Sequence, residues 1–451
     1  RSHGRHGPGH GRIRWRTGGW LMGTRIHGGH LIDPANGVDA LTDLYLDDEG
    51  FVAAIGAAPE GFQVTATIDA TGLIVCPGLI DLRARVREPG QEYKATIESE
   101  TRAAVSAGIT TLICPPDTNP VIDTPAMAQM IQQRAWRFGL SFIHPLGALT
   151  RGLEGKQLSD MESLDEAGCV GLTNAHMPIH DTLVLRRAME YAASFDLTVF
   201  LHPEDPWLVG AGCVHEGDIG TRLGLPGIPE AAETVALARD LALIEQTGVR
   251  AHFCQLSTAR AVAIIAEAKS RGLPVTADVT AHHLHLTEHD IGFFNSMCHV
   301  IPPLRSLRDR DGLRQALVDG TVDIICSDHQ PHEPDAKLAP FSASEPGISG
   351  LETLLPLVLQ LVDEDILELS SAIAAITARP AEVISVDTGH LGVGANADVC
   401  IFDPQSRWIL KSEDMVSRGR NSPFVGRELR GQVTHTLVGG QVVFERERDS
   451  A

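Results

Sequence analysis

The sequence has 451 residues, 43% of them hydrophobic, with a formal net charge of −21 and a pI near 5.3. That is enough chain for one large domain and a smaller one beside it, and the acidic balance argues against nucleic acid or an anionic membrane surface as a partner. No apolar run approaches the roughly 20 residues of a membrane span and nothing reads as a secretory signal. The eight scattered cysteines hold no C-x-x-C pair and read as reduced core thiols of a cytoplasmic protein.

Residues 1–22 are rich in Gly, His and Arg without periodicity and are expected to form a disordered tail. Met22 directly precedes the first strand-like run, so the stretch also fits upstream read-through or an expression remnant, and its histidines could bind metal. Between 23 and 77 short strand-like runs recur, T-R-I-H-G-G-H-L-I-D and then L-Y-L-D-D-E-G-F-V-A-A-I, with Asp48-Glu49-Gly50 as a hairpin turn. The run 72–80, its apolar residues broken by Pro77 and Gly78, predicts a buried strand entered through a turn. It carries the chain into D-L-R-A-R-V-R-E-P-G at 81–90, where Arg83 and Arg85 stand two apart and so share one face of an extended segment.

From 78 to 387 strand-like and helix-like segments alternate: 110–114 then helix 126–138, 198–202 then helix 232–245, 251–256 then helix 259–268, and helix 309–318 before 322–326. This alternation predicts an α/β fold with a parallel sheet closed as a (β/α)8 TIM-type barrel. Chemistry in such a barrel sits at the strand C-termini, where His202, Gln255 and Asp328 fall. Residues 388–451 return to β character at 398–402 and 433–444, with a Gly439-Gly440 turn, and with 23–77 they predict a small β-sandwich built from both ends of the chain.

Further stretches recur in a fixed order: C-P-P-D-T-N-P (114–120), L-H-P-E-D (201–205), G-L-P-G-I-P-E-A-A-E (224–233), H-F-C-Q-L-S-T (252–258), D-V-T-A-H-H-L-H-L-T (278–287), I-P-P-L-R (301–305), S-D-H-Q-P-H (327–332) and G-I-S-G-L-E-T (347–353). Together with 81–90 they resemble class I dihydroorotase, of the metal-dependent amidohydrolase superfamily, across nearly all of 24–445. In that family the first strand reads H-x-H-x-R-E-P-G and its two histidines hold zinc. Here Arg83 and Arg85 take their places, and arginine has no lone pair to give a metal. The resemblance places Asn174 at the family's bridging acid and Gln255 at a further metal-binding histidine, and neutral amides are poor transition-metal ligands. His202 and Asp328 match the family's own residues, Asp328 at the general base.

Arg87 and His332 match residues that in the family hold the substrate carboxylate, whereas Asp117 and Ile301 each replace an Asn. Asp117 would set a negative charge against an anionic substrate, so dihydroorotate is expected to bind poorly. The scaffold reading stands beside each of these. Arg87, Arg305, His282 and His283 also fit packing roles, a lone His202 fits a satisfied core histidine, and Asp328 fits a structural counter-ion to the two arginines.

The resemblance implies a catalytically inactive dihydroorotase homologue, a non-catalytic subunit that assembles with the aspartate carbamoyltransferase catalytic subunit in pyrimidine biosynthesis and pairs as a homodimer. No zinc or other cofactor is expected at the vestigial positions Arg83, Arg85, Asn174, His202, Gln255 and Asp328. The alternative is an active dihydroorotase or another cyclic-amide amidohydrolase with a rebuilt site, mono-metal with zinc or metal-free. For it His176, His180, His202 and His329 would have to regroup, and none shows a ligand-pair spacing on one element.

Overall fold

The computed structural model describes residues 22–447. The expected tail lies outside the described residues except for Met22, which opens the strand Met22–His27 and pairs with Gln63 instead of ending a tail.

Eight parallel strands form the barrel: Leu79–Asp81, Ile109–Cys114, Phe142–Pro145 continued by Gly147–Ala148, Leu172–Thr173, Val199–Leu201, Ala251–Phe253, Val275–Thr280 and Ile324–Cys326. Each pairs with the next, and a parallel bridge between Ala84 and His329 closes the last onto the first. The helices Ile97–Ser106, Pro125–Phe138, Met161–Glu166, Thr182–Ser194, Glu230–Thr247, Ala259–Ser270, Leu307–Val318 and Leu354–Asp363 surround it. Local signals set their ends. Thr96 and Ser306 make capping boxes, Pro125 opens its helix, and Gly139 closes that helix in a left-handed turn. The four predicted helices agree with the observed ones within two residues at each end.

The run 72–80 divides at the Pro77-Gly78 break into two strands. Ile74–Pro77 pairs antiparallel with Val399–Ile409 in the sandwich, and Leu79–Asp81 begins the barrel. Gly78 turns the chain between them, and a Cβ there would stand 2.2 Å from Thr110 Oγ1. Because the barrel strand ends at Asp81, Arg83 and Arg85 project from the segment beyond it. The Ala84 bridge to His329 keeps that segment extended and both arginines on one side.

One sandwich sheet orders Val52–Ile55, Leu44–Asp47, Met22–His27 and Gln63–Asp69; the other orders Gln441–Glu445, Glu428–Val438, Val399–Ile409, Ile74–Pro77, His30–Asp33 and Val38–Leu41. Ile26, Leu31, Leu46, Val75, Val399 and Leu437 are buried together in its core. All eight cysteines are free and buried. Among the described residues no helix is long and apolar enough to cross a membrane.

Candidate functional site

Four non-glycine residues in the loops at the barrel mouth hold left-handed backbone: Arg87 (φ 61°), Ala175 (φ 50°), Gln255 (φ 58°) and Asp328 (φ 45°). Such conformations cost on the order of 1–3 kcal/mol each and persist where the surroundings over-determine them.

Arg83 and Arg85 are 2% and 5% exposed. Arg83 Nε lies 3.3 Å from Asp328 Oδ1, Arg85 Nη1 lies 3.4 Å from the same oxygen, and Arg85 Nε donates to Asp117 Oδ2 at 2.8 Å. Gln330 Nε2 donates to the other oxygen of Asp328 at 2.9 Å. The expected ion pair with Asp328 is therefore made by both arginines. Burial works to raise the Asp117 carboxyl, but Arg85, Arg83 and Arg87 outweigh it and hold the group below its ordinary value. Its charge is neutralised by Arg85 rather than left to repel an anion, which removes the electrostatic part of the expected penalty.

Asn174 has turned away from the mouth. Its Nδ2 donates to the carbonyls of Leu153 at 3.1 Å and Met177 at 2.6 Å, and its Oδ1 accepts from Thr150 Oγ1 at 2.7 Å. His202 and Gln255 behave differently. Both ring nitrogens of His202, both amide atoms of Gln255, both ring nitrogens of His176, and Nε and Nη2 of Arg83 are buried without a hydrogen-bond partner among the described residues. His202 is thus not the satisfied core histidine its isolation in the sequence suggests. It packs edge to face on His176, with ring centroids 4.3 Å apart, and its Nε2 is 3.5 Å from Glu204 Oε2. Burial, then His202, Arg83 and Arg85, hold His176 well below the ordinary imidazole value. His180 instead stacks on Trp207, and His329 bonds Glu100 Oε2 at 2.7 Å, so only two of the four histidines come together.

On the other side of the mouth, Arg87 donates to the Pro331 carbonyl at 3.0 Å and its Nη2 is 3.2 Å from His332 Nε2. Lys94 Nζ stands 3.3 Å from His332 Nδ1. Burial, with Arg87 and Lys94 adding to it, pushes the His332 imidazole down to about 2, and burial with Arg85 lowers Arg87 to about 10. Ile301 is half-buried and offers no polar group. His283 is bonded to Thr280 Oγ1 and the Pro303 carbonyl, and Arg305 to the Ile228 carbonyl and Ser257 Oγ, which are scaffold roles.

Two cavities at the mouth are small. One cavity of about 10 Å³ is lined by Arg85, Arg87, Cys114 and Asp117, and another of about 10 Å³ by His202, Glu204, Gln255 and Arg305. Each has room for about one water, against roughly 300 Å³ or more for a small-molecule pocket. The donor set does not fit a two-metal centre either: two positions are cationic, Asp328 is committed to both arginines, and Asn174 faces its own loops.

Sequence reasoning missed Gln330 and the layer beneath the mouth. There His252 Nε2 is 2.9 Å from Asp278 Oδ2, and Asp278 Oδ1 accepts the Gln255 N–H at 2.7 Å. His252, Cys254 and Asp278 are the one group among the described residues with donor atoms within 4.8 Å of one another. Asp278 is already bonded and Arg83 faces Cys254, so the trio serves as a support for the Gln255 turn. The alternation of His252 and Cys254 on one strand face was the available signal.

Residues 72–261 match the dihydro-orotase-like family and residues 356–444 the amidohydrolase family. A dihydroorotase-like protein of Pseudomonas putida is 51% identical over 421 residues, 93% of this chain and 99% of that one. A protein of the same description from Pseudomonas aeruginosa is 50% identical over 424 residues, 94% and 100% of the two chains. A dihydroorotase of Geobacter sp. (strain M21) is 42% identical over 427 residues, again 94% and 100%. The solved L-hydantoinase (dihydropyrimidinase) from Arthrobacter aurescens has the same fold, with a TM-score of 0.84 at 23% identity over 94% of this chain and 97% of that one. The motif order, the closed barrel with its two-ended sandwich, and identity of this level over nearly the whole length agree: the chain belongs to the class I dihydroorotase-like family of the amidohydrolase superfamily.

Proposed function

We propose that this chain is a catalytically inactive dihydroorotase homologue, a structural subunit that assembles with aspartate carbamoyltransferase in pyrimidine biosynthesis. The filled mouth carries the first half of that reading. Arg83 and Arg85, paired with Asp328 and Asp117, occupy the positions of the family's zinc ligands, and each cavity beside them measures about 10 Å³. A carboxylate that neutralises two guanidiniums is a poor general base. Without zinc there is neither a bound water of lowered pKa nor a Lewis acid to polarise a cyclic amide. The carbamoyltransferase partner rests on the family resemblance, and a two-fold pair of barrels belongs to the same proposal. The contacts would lie on the outer helices, the loops or the sandwich and bury more than about 1,000 Å².

The unpartnered polar atoms of His176, His202 and Gln255 favour a second reading, an amidohydrolase with a rebuilt mono-metal or metal-free site. Dihydroorotase turnover and zinc content of protein purified without added metal separate the two. Background turnover with no stoichiometric zinc is expected; turnover clearly above background moves the weight to the rebuilt site. Co-expression with the cognate carbamoyltransferase, followed by size-exclusion chromatography with light scattering, is expected to give one co-eluting peak. Two separate peaks at micromolar concentration, with the carbamoyltransferase fully assembled alone, overturn the scaffold role.

A further inference from the structure

A larger cavity lies away from the mouth. It measures about 360 Å³ and opens between helix Leu307–Val318, helix Leu354–Asp363 and the start of strand Glu428–Val438. Three guanidiniums line it, Arg310 and Arg314 one turn apart on the first helix and Arg427 from the loop before the strand. Each is oriented from one side by the protein. Arg310 Nε and Nη2 reach Asp311 Oδ1 at 3.0 and 2.8 Å, leaving Nη1 without a hydrogen bond among the described residues. Arg427 Nη2 reaches Asp290 at 3.2 Å while its guanidinium lies 5.3 Å from the Phe424 ring centroid, leaving Nε and Nη1. Arg314 is fixed by the Leu284 carbonyl at 2.6 Å and Glu364 at 2.7 Å.

Two glutamates share the wall, and both are committed. Glu364 bonds Arg314 and Gln360, and Glu428 bonds Arg407 at 2.8 Å across the strand pair. His285 contributes no charge, because burial and Arg314 push its imidazole down to about 4.

We propose that this cavity binds a small phosphate ester, between a sugar phosphate and a nucleotide in size. The remaining N–H groups of Arg310 and Arg427 present the planar donor geometry that phosphate oxygens accept. The volume of about 360 Å³ suits a ligand larger than a lone phosphate. Asp311, Asp290 and Glu364 balance the three guanidiniums, so the site would select its ligand by the geometry of the remaining N–H donors rather than by net charge. The occupant would tie a barrel helix to the sandwich strand, so its binding would also stabilise the fold. The site is separate from the mouth and does not depend on whether the mouth is inactive.

The test is calorimetric titration of the full chain with adenosine monophosphate and inorganic pyrophosphate at fixed ionic strength, with citrate as a phosphate-free polyanion. The double variant R310Q/R427Q removes side chains that are 25% and 47% exposed and is expected to fold, as its circular dichroism and melting temperature will show. Saturable one-to-one binding of either phosphate probe is expected, weakened roughly tenfold or more in the double variant. Arg102→Gln, at an exposed arginine on another helix, should bind as the parent does. Absence of saturable phosphate binding, equal affinity for citrate, or unchanged affinity in R310Q/R427Q overturns the proposal.

Discussion

The two sides of the barrel mouth have diverged in different ways. On the side where the family holds its metals, two arginines and two aspartates neutralise one another at 2.8–3.4 Å. On the side of Arg87, Lys94 and His332, two cations flank a neutral imidazole, and the nearest carboxylate partner, Glu345, is 3.8 Å from Lys94 and 56% exposed. One side carries arginines that offer a metal no lone pair and is balanced in charge; the other keeps Arg87 and His332 and has an excess of positive charge. A buried carboxylate deprived of a dication needs another cation, and a guanidinium is the side chain whose charge survives burial. With both arginines in place Asp328 remains a buried carboxylate on left-handed backbone, φ 45°, with its charge neutralised.

Breaking the balanced side should give the largest effect. Asp328→Ala leaves Arg83 and Arg85 with only Asp117 and is expected to lower unfolding free energy by about 3–5 kcal/mol, whereas Arg87→Gln should cost under about 1 kcal/mol, within the range of an ordinary hydrogen-bond loss. Urea denaturation of both variants checks the contrast. Equal losses would mean that the two sides do not differ in the way described.

Acid sharpens the comparison next. His282 and His283 are pushed down to about 3 by burial, His285 and His299 to about 4, and His332 to about 2. A group with a depressed folded pKa contributes stability that is present above its unfolded value, near 6.5 for His, and is lost as pH falls toward the folded value. Asp81, Asp240 and Asp398, raised to about 6 by burial, oppose this between about 4 and 6, since their stabilisation grows on acidification. These five histidines outnumber the three aspartates by two, and His176 and His215 are depressed as well, so unfolding takes up protons below pH 6, on the order of 3 kcal/mol per pH unit or more. Smaller shifts among the other acids run both ways. The urea midpoint should fall from pH 6.5 to pH 5, and a flat profile would show that these histidines are hydrated in solution.

Asn174 is the third test, because the resemblance and the geometry disagree about it. Asn174→Asp restores the family's residue type, yet the change replaces a donor to two carbonyls with a second acceptor. A loss of about 2 kcal/mol is expected from those unsatisfied carbonyls. Arg83→His with Arg85→His should likewise stay inactive without Asn174→Asp and Gln255→His, since a two-metal site works as a unit. A stable Asn174→Asp protein would mean that the side chain swings back to the mouth, and turnover in the double variant would mean that fewer ligands suffice than the family's set.

How much of this was legible follows from what each feature depends on. The helices were readable because their caps and 3.6-residue period are local, as at Pro125 and Gly139. Pro77 and Gly78 marked the break between sandwich and barrel, but that Ile74–Pro77 is itself a strand of the sandwich was not readable, because it is as apolar as Leu79–Asp81 and only their partners in different sheets distinguish them. The arginines could be read from their positions and charge, and so could a pairing with Asp328. The rotation of Asn174 toward backbone carbonyls of two loops, and the stacking of His176 on His202, depend on loop paths that no period in the sequence records.

The smallest expected effect tests the excess charge directly. His332 is held down first by burial and then by Arg87, Lys94 and Lys337, while its bond to the Pro346 carbonyl favours the protonated form. Removing one of the two cations in Arg87→Gln should therefore raise the His332 pKa while burial still keeps it below the ordinary value near 6.5. The sign is the test: His332 Nε2 donates to the Pro346 carbonyl at 2.9 Å, so the Arg87 guanidinium acts on the ring through its charge, and the imidazole pKa rises when that charge is removed. Titration of the imidazole carbon-bound protons by NMR, in the parent and in Arg87→Gln, reads the difference. An unchanged His332 would mean that Arg87 is screened by Asp117 and Glu345, and the positive side of the mouth would then be as balanced as the other.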